Sequence, residues 1–226
     1  MFIHHNLNQL HRHILEFEEK YHRVPHSVFL LAISKGQDLE KIQQAIAAGQ
    51  LAFGENYLQE ALKKIAEINH PQIEWHFTGH IQSNKTQEIA RHFSWAHTVT
   101  NQKIAQRLND QRPAILAPLN ICLEVNVSRE ASKSGVMALE ELVSLARFCI
   151  SLPRLKLRGL MTIPQPQEKF EAQRAELHQL VLMKEELCQR GFELDTLSMG
   201  MTDDLEAAIA EGATMVRVGR GIFGGR

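Results

Sequence analysis

A regular alternation of short apolar segments with longer amphipathic ones runs through this chain and limits the folds open to it. The apolar segments predict eight strands, at 28–34, 51–54, 73–78, 95–100, 120–127, 155–162, 196–198 and 214–218. Helices are predicted after the first seven strands, at 39–48, 56–67, 84–92, 103–109, 139–151, 168–190 and 203–211. A further amphipathic helix, at 6–21, precedes the first strand. We therefore expect an α/β fold made of repeated strand–helix units.

Strict alternation predicts parallel strands joined by right-handed crossovers. Eight such units favour a closed (β/α)8 barrel (a TIM barrel), and the 226 residues suit that fold. The alternative is an open doubly wound sheet, which usually has fewer strands and a glycine-rich turn after its first strand. Here that turn reads Ser34-Lys35-Gly36-Gln37. We predict a single barrel domain spanning residues 1–226.

Charge and composition exclude several classes of protein. A net charge of −1 and the lack of a long basic run with aromatic residues argue against a nucleic-acid partner. No apolar run approaches the roughly 20 residues of a membrane span, and the N-terminus lacks an apolar leader. The three scattered cysteines have no metal spacing and are interpreted as buried reduced thiols. We expect a cytoplasmic protein.

Six of the twelve histidines precede Val28. A metal site is one interpretation, but no H-E-x-x-H pair or matching carboxylate completes it. We favour a solvated helix face and predict no metal.

The predicted strands end in polar residues at their carboxyl ends, which form the active face of a barrel. These ends are Lys35, Glu55-Asn56, Gly79–Lys85, Thr100-Asn101, Asn126–Ser128, Met161-Thr162, Ser198–Thr202 and Gly219–Gly221. The opposite strand ends have the residues of ordinary connections. A binding site is therefore predicted at the carboxyl ends of the strands.

The last two of these loops have the composition of a phosphate site. The segment Ser198–Thr202 leads into a predicted helix start with an Asp-x-x-Glu capping box at Asp203 and Glu206. Such a start offers backbone N–H groups to an anion, and the glycines of Gly219–Gly221 let the backbone approach one closely. Each loop alone is equally typical of a capped turn. Together, after adjacent strands, they predict a phosphate site.

Lys35 directly follows the first predicted strand, and Arg217 lies within the last one. A desolvated lysine at a strand end readily forms an imine with a carbonyl, although a solvated Lys35 is the alternative, and Lys85 and Lys133 also lie in loops. Arg217 lies inside an apolar strand, either in a core ion pair or with its guanidinium beside a ligand ring nitrogen. A carbonyl trap with a phosphate site points to a phosphorylated aldehyde, of which pyridoxal 5′-phosphate is the commonest.

Eight sequence stretches carry a resemblance to a known family. The chain resembles the pyridoxal phosphate homeostasis protein family, a group of pyridoxal phosphate-binding proteins. The matching stretches are Ala32–Lys35, Phe53–Glu60, Trp75–Lys85, Val125–Ser128, Ser132–Gly135, Arg158–Pro164, Leu197–Asp204 and Val216–Gly219 with Ile222–Gly224. They occur in family order.

The resemblance implies a barrel like the N-terminal domain of alanine racemase, with pyridoxal phosphate held by Lys35 as a Schiff base. It also implies that Asn56 lies near the cofactor ring and that Arg217 faces the pyridine nitrogen, where a fixed cation would weaken the electron sink. The residues implied around the phosphate are Ser198, Gly200, Thr202 and Gly219. The implied role is to buffer the cofactor, to deliver it to apo forms of pyridoxal phosphate-dependent enzymes and to keep amino-acid and keto-acid pools balanced.

Two residues depart from the family pattern. Arg220 stands where the family often has threonine or serine, and Gly36 stands where threonine is frequent. Arg220 would replace a hydroxyl contact to phosphate with an ion pair, or leave backbone contacts only. We include Arg220 among the predicted cofactor-binding residues.

The features expected of a related enzyme are missing from this sequence. Related racemases and decarboxylases add a second β domain and dimerise, whereas this chain ends at Arg226, close to its last predicted strand. A racemase needs proton carriers on both faces of its cofactor, yet neither Tyr21 nor Tyr57 lies at a late strand end. We predict a monomeric carrier without catalytic residues. The alternatives are a pyridoxal phosphate-dependent racemase or lyase with Lys35 as base, and a cofactor-free Schiff-base aldolase.

Overall fold

The computed structural model describes residues 2–130 and 133–225, which form eight strands and nine helices. The strands are β1 (Phe29–Ile33), β2 (Ala52–Glu55), β3 (Glu74–Phe77), β4 (Trp95–Val99), β5 (Leu119–Glu124), β6 (Leu155–Met161), β7 (Thr196–Ser198) and β8 (Met215–Val218). The helices are α1 (Phe2–Lys20), α2 (Leu39–Ala47), α3 (Leu58–Ile68), α4 (Thr86–His92), α5 (Gln102–Gln111), α6 (Leu139–Ile150), α7 (Phe170–Gln189), α8 (Leu205–Ala210) and α9 (Arg220–Phe223). Ser132, part of one family-like stretch, lies outside the described residues.

The eight strands form one closed parallel barrel in chain order. The barrel closes where β1 pairs with β8, and in that pairing Leu31 lies opposite Arg217. On its other side β1 pairs with β2, with Ile33 opposite Gly54. The predicted (β/α)8 barrel is confirmed, and the open doubly wound sheet is wrong.

The barrel encloses a mixed interior. Its apolar cluster consists of Leu31, Ile33, Ala52, Trp95, Cys122, Met161 and Met215. Four polar side chains are buried beside it: His76, His97, Ser198 and Arg217. A larger apolar cluster lies between the strands and the surrounding helices. Polar groups at the barrel axis are costly unless they bond to one another, and their contacts therefore matter for the site.

Most predicted element boundaries lie within two residues of those observed. Helix α1 is the main exception, because it begins at Phe2 rather than at residue 6. Its buried residues Ile3, Leu7, Leu10 and Ile14 follow one helical face, so the apolar spacing continues towards the N-terminus. All six histidines before Val28 are exposed. The solvated helix face is confirmed for the four that lie on α1, whereas the other two follow the helix: His22 and His26.

The structure corrects the sequence analysis at the last two turns. The predicted capping box is wrong: α8 begins at Leu205, Asp204 accepts a hydrogen bond from the Met201 amide at 2.6 Å, and Glu206 bonds to the Tyr21 hydroxyl at 2.9 Å. The segment Gly219–Gly221, predicted to be a loop, starts the one-turn helix α9. This helix packs on α1, where the Asn6 amide donates to the Ile222 carbonyl at 2.8 Å.

Three further features bear on the class of protein. No helix in the described part of the chain is long and apolar enough to span a membrane. No cluster of three or more histidine, cysteine or acidic side chains suited to a metal ion occurs within residues 2–130 and 133–225. Cys122 and Cys149 are buried as predicted, but Cys188 is exposed, because it lies on the outer side of α7.

Candidate functional site

A cavity of about 250 Å³ lies at the carboxyl ends of the barrel strands. Six of the eight predicted cofactor-binding residues line it: Lys35, Asn56, Thr202, Arg217, Gly219 and Arg220. The rest of the wall is formed by Ile33, Thr78, Met161, Ile163, Met201 and Asp203. The fold therefore brings together predicted residues that are up to 185 positions apart in the sequence, from Lys35 to Arg220. Ser198 and Gly200 are not part of this wall.

Lys35 directly follows β1 and is held through the residues on either side of it. The Lys64 ammonium donates to the Ser34 carbonyl at 2.7 Å, and the Gly36 amide donates to Glu60 Oε1 at 2.6 Å. Lys35 itself is partly buried, so its side chain reaches the cavity from a backbone that is fixed on both sides.

A buried ionic cluster supplies these two contacts. Lys64, which is only 5% exposed, lies 2.8 Å from Glu55 Oε1 and 2.5 Å from Glu60 Oε1. The Ser34 hydroxyl donates to the same Glu55 oxygen at 2.6 Å. Burial raises the pKa of Glu55, and its bonds to Lys64 and Ser34 oppose that shift. Sequence analysis missed this cluster, although the four-residue spacing of Glu60 and Lys64 on a helix was a usable signal.

Asn56 is fixed by the neighbouring loop. The Thr78 hydroxyl donates to Asn56 Oδ1 at 3.1 Å. A side chain at Gly79 would bring its Cβ within 2.0 Å of the Asn56 carbonyl oxygen, so the two loops touch backbone to backbone. Asn56 and Thr78 thus form one preorganised polar edge of the cavity.

Arg217 is a buried cation held by neutral acceptors. Its side chain donates to Ser198 Oγ at 2.9 Å and to the Thr162 carbonyl at 2.7 Å. Burial lowers its pKa to about 10, which leaves it charged at neutral pH. None of the ion pairs in the described part of the chain includes Arg217, so the core ion pair considered from sequence is not found there.

Ser198 and Gly200 lie behind the cavity rather than in its wall. The Ser198 side chain is fully buried, and its hydroxyl contacts His97 Nδ1 at 2.9 Å as well as Arg217. Gly200 has φ +96°, and a Cβ there would lie 2.5 Å from the Ala208 Cβ. Its carbonyl accepts from the Arg217 amide at 2.8 Å. Ser198 therefore holds the Arg217 side chain, and Gly200 packs closely on α8 and bonds to the Arg217 backbone.

The turn before α9 carries the remaining predicted residues. A Cβ on Gly219 would lie 3.1 Å from the Ile33 carbonyl oxygen, so glycine lets this turn lie close to β1. Arg220 is exposed and pairs with Asp203 at 2.5 Å. Asp203 also lines the cavity, which places a carboxylate beside the predicted phosphate site. Sequence analysis missed this pairing partner of Arg220.

The cavity offers a ligand an amine, a buried guanidinium and glycine-containing turns. Its apolar wall is formed by Ile33, Met161, Ile163 and Met201. A buried cation with neutral partners favours a ligand that offers an acceptor or a negative charge. The apolar wall suits a flat ring. These groups fit a planar aldehyde with an anionic substituent, which is the chemical class of pyridoxal phosphate.

The chain is similar to curated proteins over nearly its full length. The alanine racemase N-terminal domain family matches residues 3–226. The pyridoxal phosphate homeostasis protein of Pseudomonas aeruginosa is 53% identical over 221 residues, covering 98% of this chain and 94% of that protein. Its counterpart in Escherichia coli is 48% identical over 225 residues, covering 98% of this chain and 96% of that protein.

Solved structures show the same similarity. PipY of Synechococcus elongatus, solved with pyridoxal phosphate bound, superposes with a TM-score of 0.81 at 35% identity, over 93% of this chain and all of that one. Alanine racemase of Corynebacterium glutamicum superposes with a TM-score of 0.71 over 97% of this chain and 59% of that one. At 17% identity the second likeness concerns the fold alone.

Proposed function

This chain belongs to the pyridoxal phosphate homeostasis proteins of the alanine racemase N-terminal domain family, and from that membership we propose that it binds pyridoxal 5′-phosphate, buffers it and delivers it. The observation that carries the proposal is the presence of Lys35 and Arg217 in one cavity at the carboxyl ends of the strands. The lysine amine can form a Schiff base with the aldehyde of this ligand class, and the buried cation can donate to its ring nitrogen.

Lys35 would hold the cofactor covalently, with Asn56 at the ring and Arg217 at the pyridine nitrogen. When bound, pyridoxal phosphate supplies an aldehyde that condenses with an amine and a pyridine ring that withdraws electrons. The Arg217 guanidinium donates hydrogen bonds and cannot accept a proton, so it would keep the ring nitrogen unprotonated. A weak electron sink favours holding the cofactor over turning over amino acids.

The phosphate would lie between the turns before α8 and α9. Thr202 and Gly219 line the cavity there, and Gly219 permits a close backbone approach. Gly200 contributes by shaping the first turn, and Ser198 by holding Arg217. Arg220 would share its charge between Asp203 and the phosphate.

Delivery to apo enzymes, a monomeric state and a cytoplasmic location belong to this proposal as well. The cavity is open to solvent through the exposed side chains of Met201 and Ile163, which are 36% and 39% exposed. A cofactor held near the surface by one reversible covalent bond is suited to transfer.

The test is the absorption spectrum of the purified protein with and without added pyridoxal phosphate. We expect a visible band that is lost in Lys35→Ala and kept in Lys103→Ala, a matched control at an exposed lysine. A visible band that persists in Lys35→Ala would indicate that the covalent bond is formed by Lys85 or Lys133 instead.

The same preparations distinguish a carrier from an enzyme. Incubation with L-alanine, L-serine or L-lysine is expected to give no racemisation or decarboxylation above that of free pyridoxal phosphate. Turnover that disappears in Lys35→Ala would overturn the carrier role in favour of a racemase or lyase.

A further inference from the structure

A row of buried polar side chains crosses the barrel interior behind Arg217. Ser198 Oγ lies 2.9 Å from Arg217 Nη1 and 2.9 Å from His97 Nδ1. His97 Nε2 lies 3.0 Å from His76 Nδ1. All four side chains are almost fully buried. At the far end His76 Nε2 lies 3.5 Å from the carboxylate of Glu74, a residue at the first position of β3.

The Arg217 end of this row fixes where the protons lie. A guanidinium can only donate, so Ser198 Oγ accepts from Arg217. The Ser198 hydroxyl proton then needs an acceptor, and His97 Nδ1 is the polar atom beside it. If His97 Nδ1 carried a proton instead, the buried hydroxyl hydrogen would be left without a partner, which is costly. His97 is therefore protonated on Nε2.

The opposite end selects the same direction. With its proton on Nε2, His97 donates to His76 Nδ1, so that His76 also carries its proton on Nε2. The Glu74 carboxylate lies 3.5 Å from this nitrogen without accepting a hydrogen bond from it, and its negative charge favours an N–H group at that position. The reverse order would turn an unprotonated nitrogen lone pair towards the same carboxylate. Both ends therefore favour one chain of donors running from Arg217 to His76.

Packing keeps the two rings in place. The indole of Trp95 stacks on His76 with ring centroids 5.3 Å apart and planes 8° apart. Phe29 stacks on the same imidazole at 6.2 Å. The pairing of β4 with β5 shifts register between Ala96 and Val99, at the position of His97. Burial lowers the pKa of both imidazoles, which keeps them neutral as the chain requires.

We propose that His97 and His76 are positioning residues for Arg217, acting through Ser198 in a one-way donor chain whose last N–H group, on His76, lies near the Glu74 carboxylate. The inference deepens the proposed function, since it rests on Arg217 facing the bound cofactor. Ser198 presents a lone pair to Arg217 because its own proton is held by His97. Without that acceptor the hydroxyl could rotate, and the guanidinium would lose one of its two neutral anchors.

The first test is the tautomer of each histidine in the protein without added cofactor. Two-bond ¹H–¹⁵N correlation spectra at pH 7.5 of protein labelled in histidine should show His97 and His76 as neutral Nε2–H tautomers. Resonances are assigned with His97→Asn and His76→Asn. An Nδ1–H tautomer or a doubly protonated ring at His97 would overturn the proposal, whatever the affinity for pyridoxal phosphate.

The second test measures the affinity for pyridoxal phosphate in matched variants. His97→Leu removes the acceptor and should weaken binding about tenfold, the equivalent of about 1.4 kcal/mol. His97→Asn keeps an amide oxygen near the Nδ1 position and should recover most of that loss. Folded His97→Leu protein with unchanged affinity would overturn the proposal.

A ligand control separates this inference from the proposed function. An analogue with carbon in place of the ring nitrogen should bind wild-type protein and His97→Leu equally, because Arg217 has no ring acceptor to meet. An equal loss of both ligands in His97→Leu would count against a role through Arg217. Failure of wild-type protein to bind pyridoxal phosphate would instead overturn the proposed function and leave the tautomer result standing. If His97→Leu does not fold, Ser198→Ala, which cuts the chain at its next member, replaces it with the same expected loss.

Discussion

At the scale of single residues, the position of Lys35 depends on neighbours that do not touch a ligand. Lys64 and Glu60 bond to the carbonyl before Lys35 and to the amide after it. Residue-level analysis of the sequence found Lys35 because an apolar run ends there. It did not find Lys64, because a lysine on an amphipathic helix is usually solvated, and only the tertiary fold shows this one to be buried.

The contribution of the buried ionic cluster to the position of Lys35 can be tested by removing first one and then both partners of the Lys64–Glu55 ion pair. Lys64→Met leaves the fully buried Glu55 without its cation, which should lower the free energy of unfolding by about 3–5 kcal/mol and weaken pyridoxal phosphate binding. Urea unfolding and a binding titration measure the two effects. The double variant Lys64→Met/Glu55→Gln should recover much of the stability, because no buried charge is left unpaired. A single variant as stable as wild type would show that the cluster does not hold this turn.

At the scale of elements, the sequence predicts the helices and strands better than it predicts their ends. The order and the barrel follow from apolar periodicity, which packing reinforces. The starts of α8 and α9 do not follow from this periodicity, because their polar residues bond to residues that are distant in the sequence. Glu206 bonds to Lys20 and Tyr21 of the N-terminal region instead of capping its own helix. The cavity-lining residues were predictable as strand ends, whereas the placement of Ser198 behind Arg217 depends on side-chain direction in a three-residue strand.

An ion pair joins the regions where these two helices start, and substitutions of its two partners are expected to change the affinity for pyridoxal phosphate in opposite directions. Arg220 and Asp203 are paired at the mouth of the cavity, and both line it. Asp203→Asn removes a negative charge beside the predicted phosphate site and should tighten pyridoxal phosphate binding, whereas Arg220→Ala should weaken it. Both effects should shrink as salt rises from about 0.05 to 0.5 M, since exposed charges are screened.

Pyridoxal, which lacks the phosphate, is the matched ligand for this pair of variants. Its affinity should change little in either variant. Unaltered affinity for pyridoxal phosphate in Arg220→Ala at every salt concentration would show that only the backbone matters at this position.

At the scale of the whole molecule, the barrel interior holds buried titratable side chains. A barrel core is usually filled by apolar side chains, yet this one buries two histidines and an arginine beside Trp95 and Cys122. The periodicity of the sequence predicts only that these residues lie in strands, and it does not predict that their side chains are buried together. Their shared burial appears once the eight strands close, because residues of β3, β4, β7 and β8 then meet at the axis.

Burial of His76 and His97 as neutral rings makes stability fall in mild acid. Both pKa values are lowered by burial in the folded protein, while the unfolded chain titrates near the ordinary value of about 6.5. Below that pH the unfolded state binds more protons than the folded state, so the free energy of unfolding decreases as pH falls, by up to about 1.4 kcal/mol per pH unit for each ring. The stabilisation is fully present above about pH 6.5. Burial raises the pKa of Glu55 and of Glu124, and the titration of these two carboxyls changes stability in the opposite sense.

Urea unfolding of the protein without added cofactor between pH 8 and pH 5.5 measures this dependence. In His97→Asn the free energy of unfolding should depend less on pH, by the contribution of one histidine, because the asparagine amide does not titrate. His5→Asn, at an exposed histidine, is the control and should follow the wild-type curve. A His97→Asn curve as steep as that of wild type would mean that His97 is not held neutral in the folded barrel, and the donor chain from Arg217 to His76 would then lack its central member.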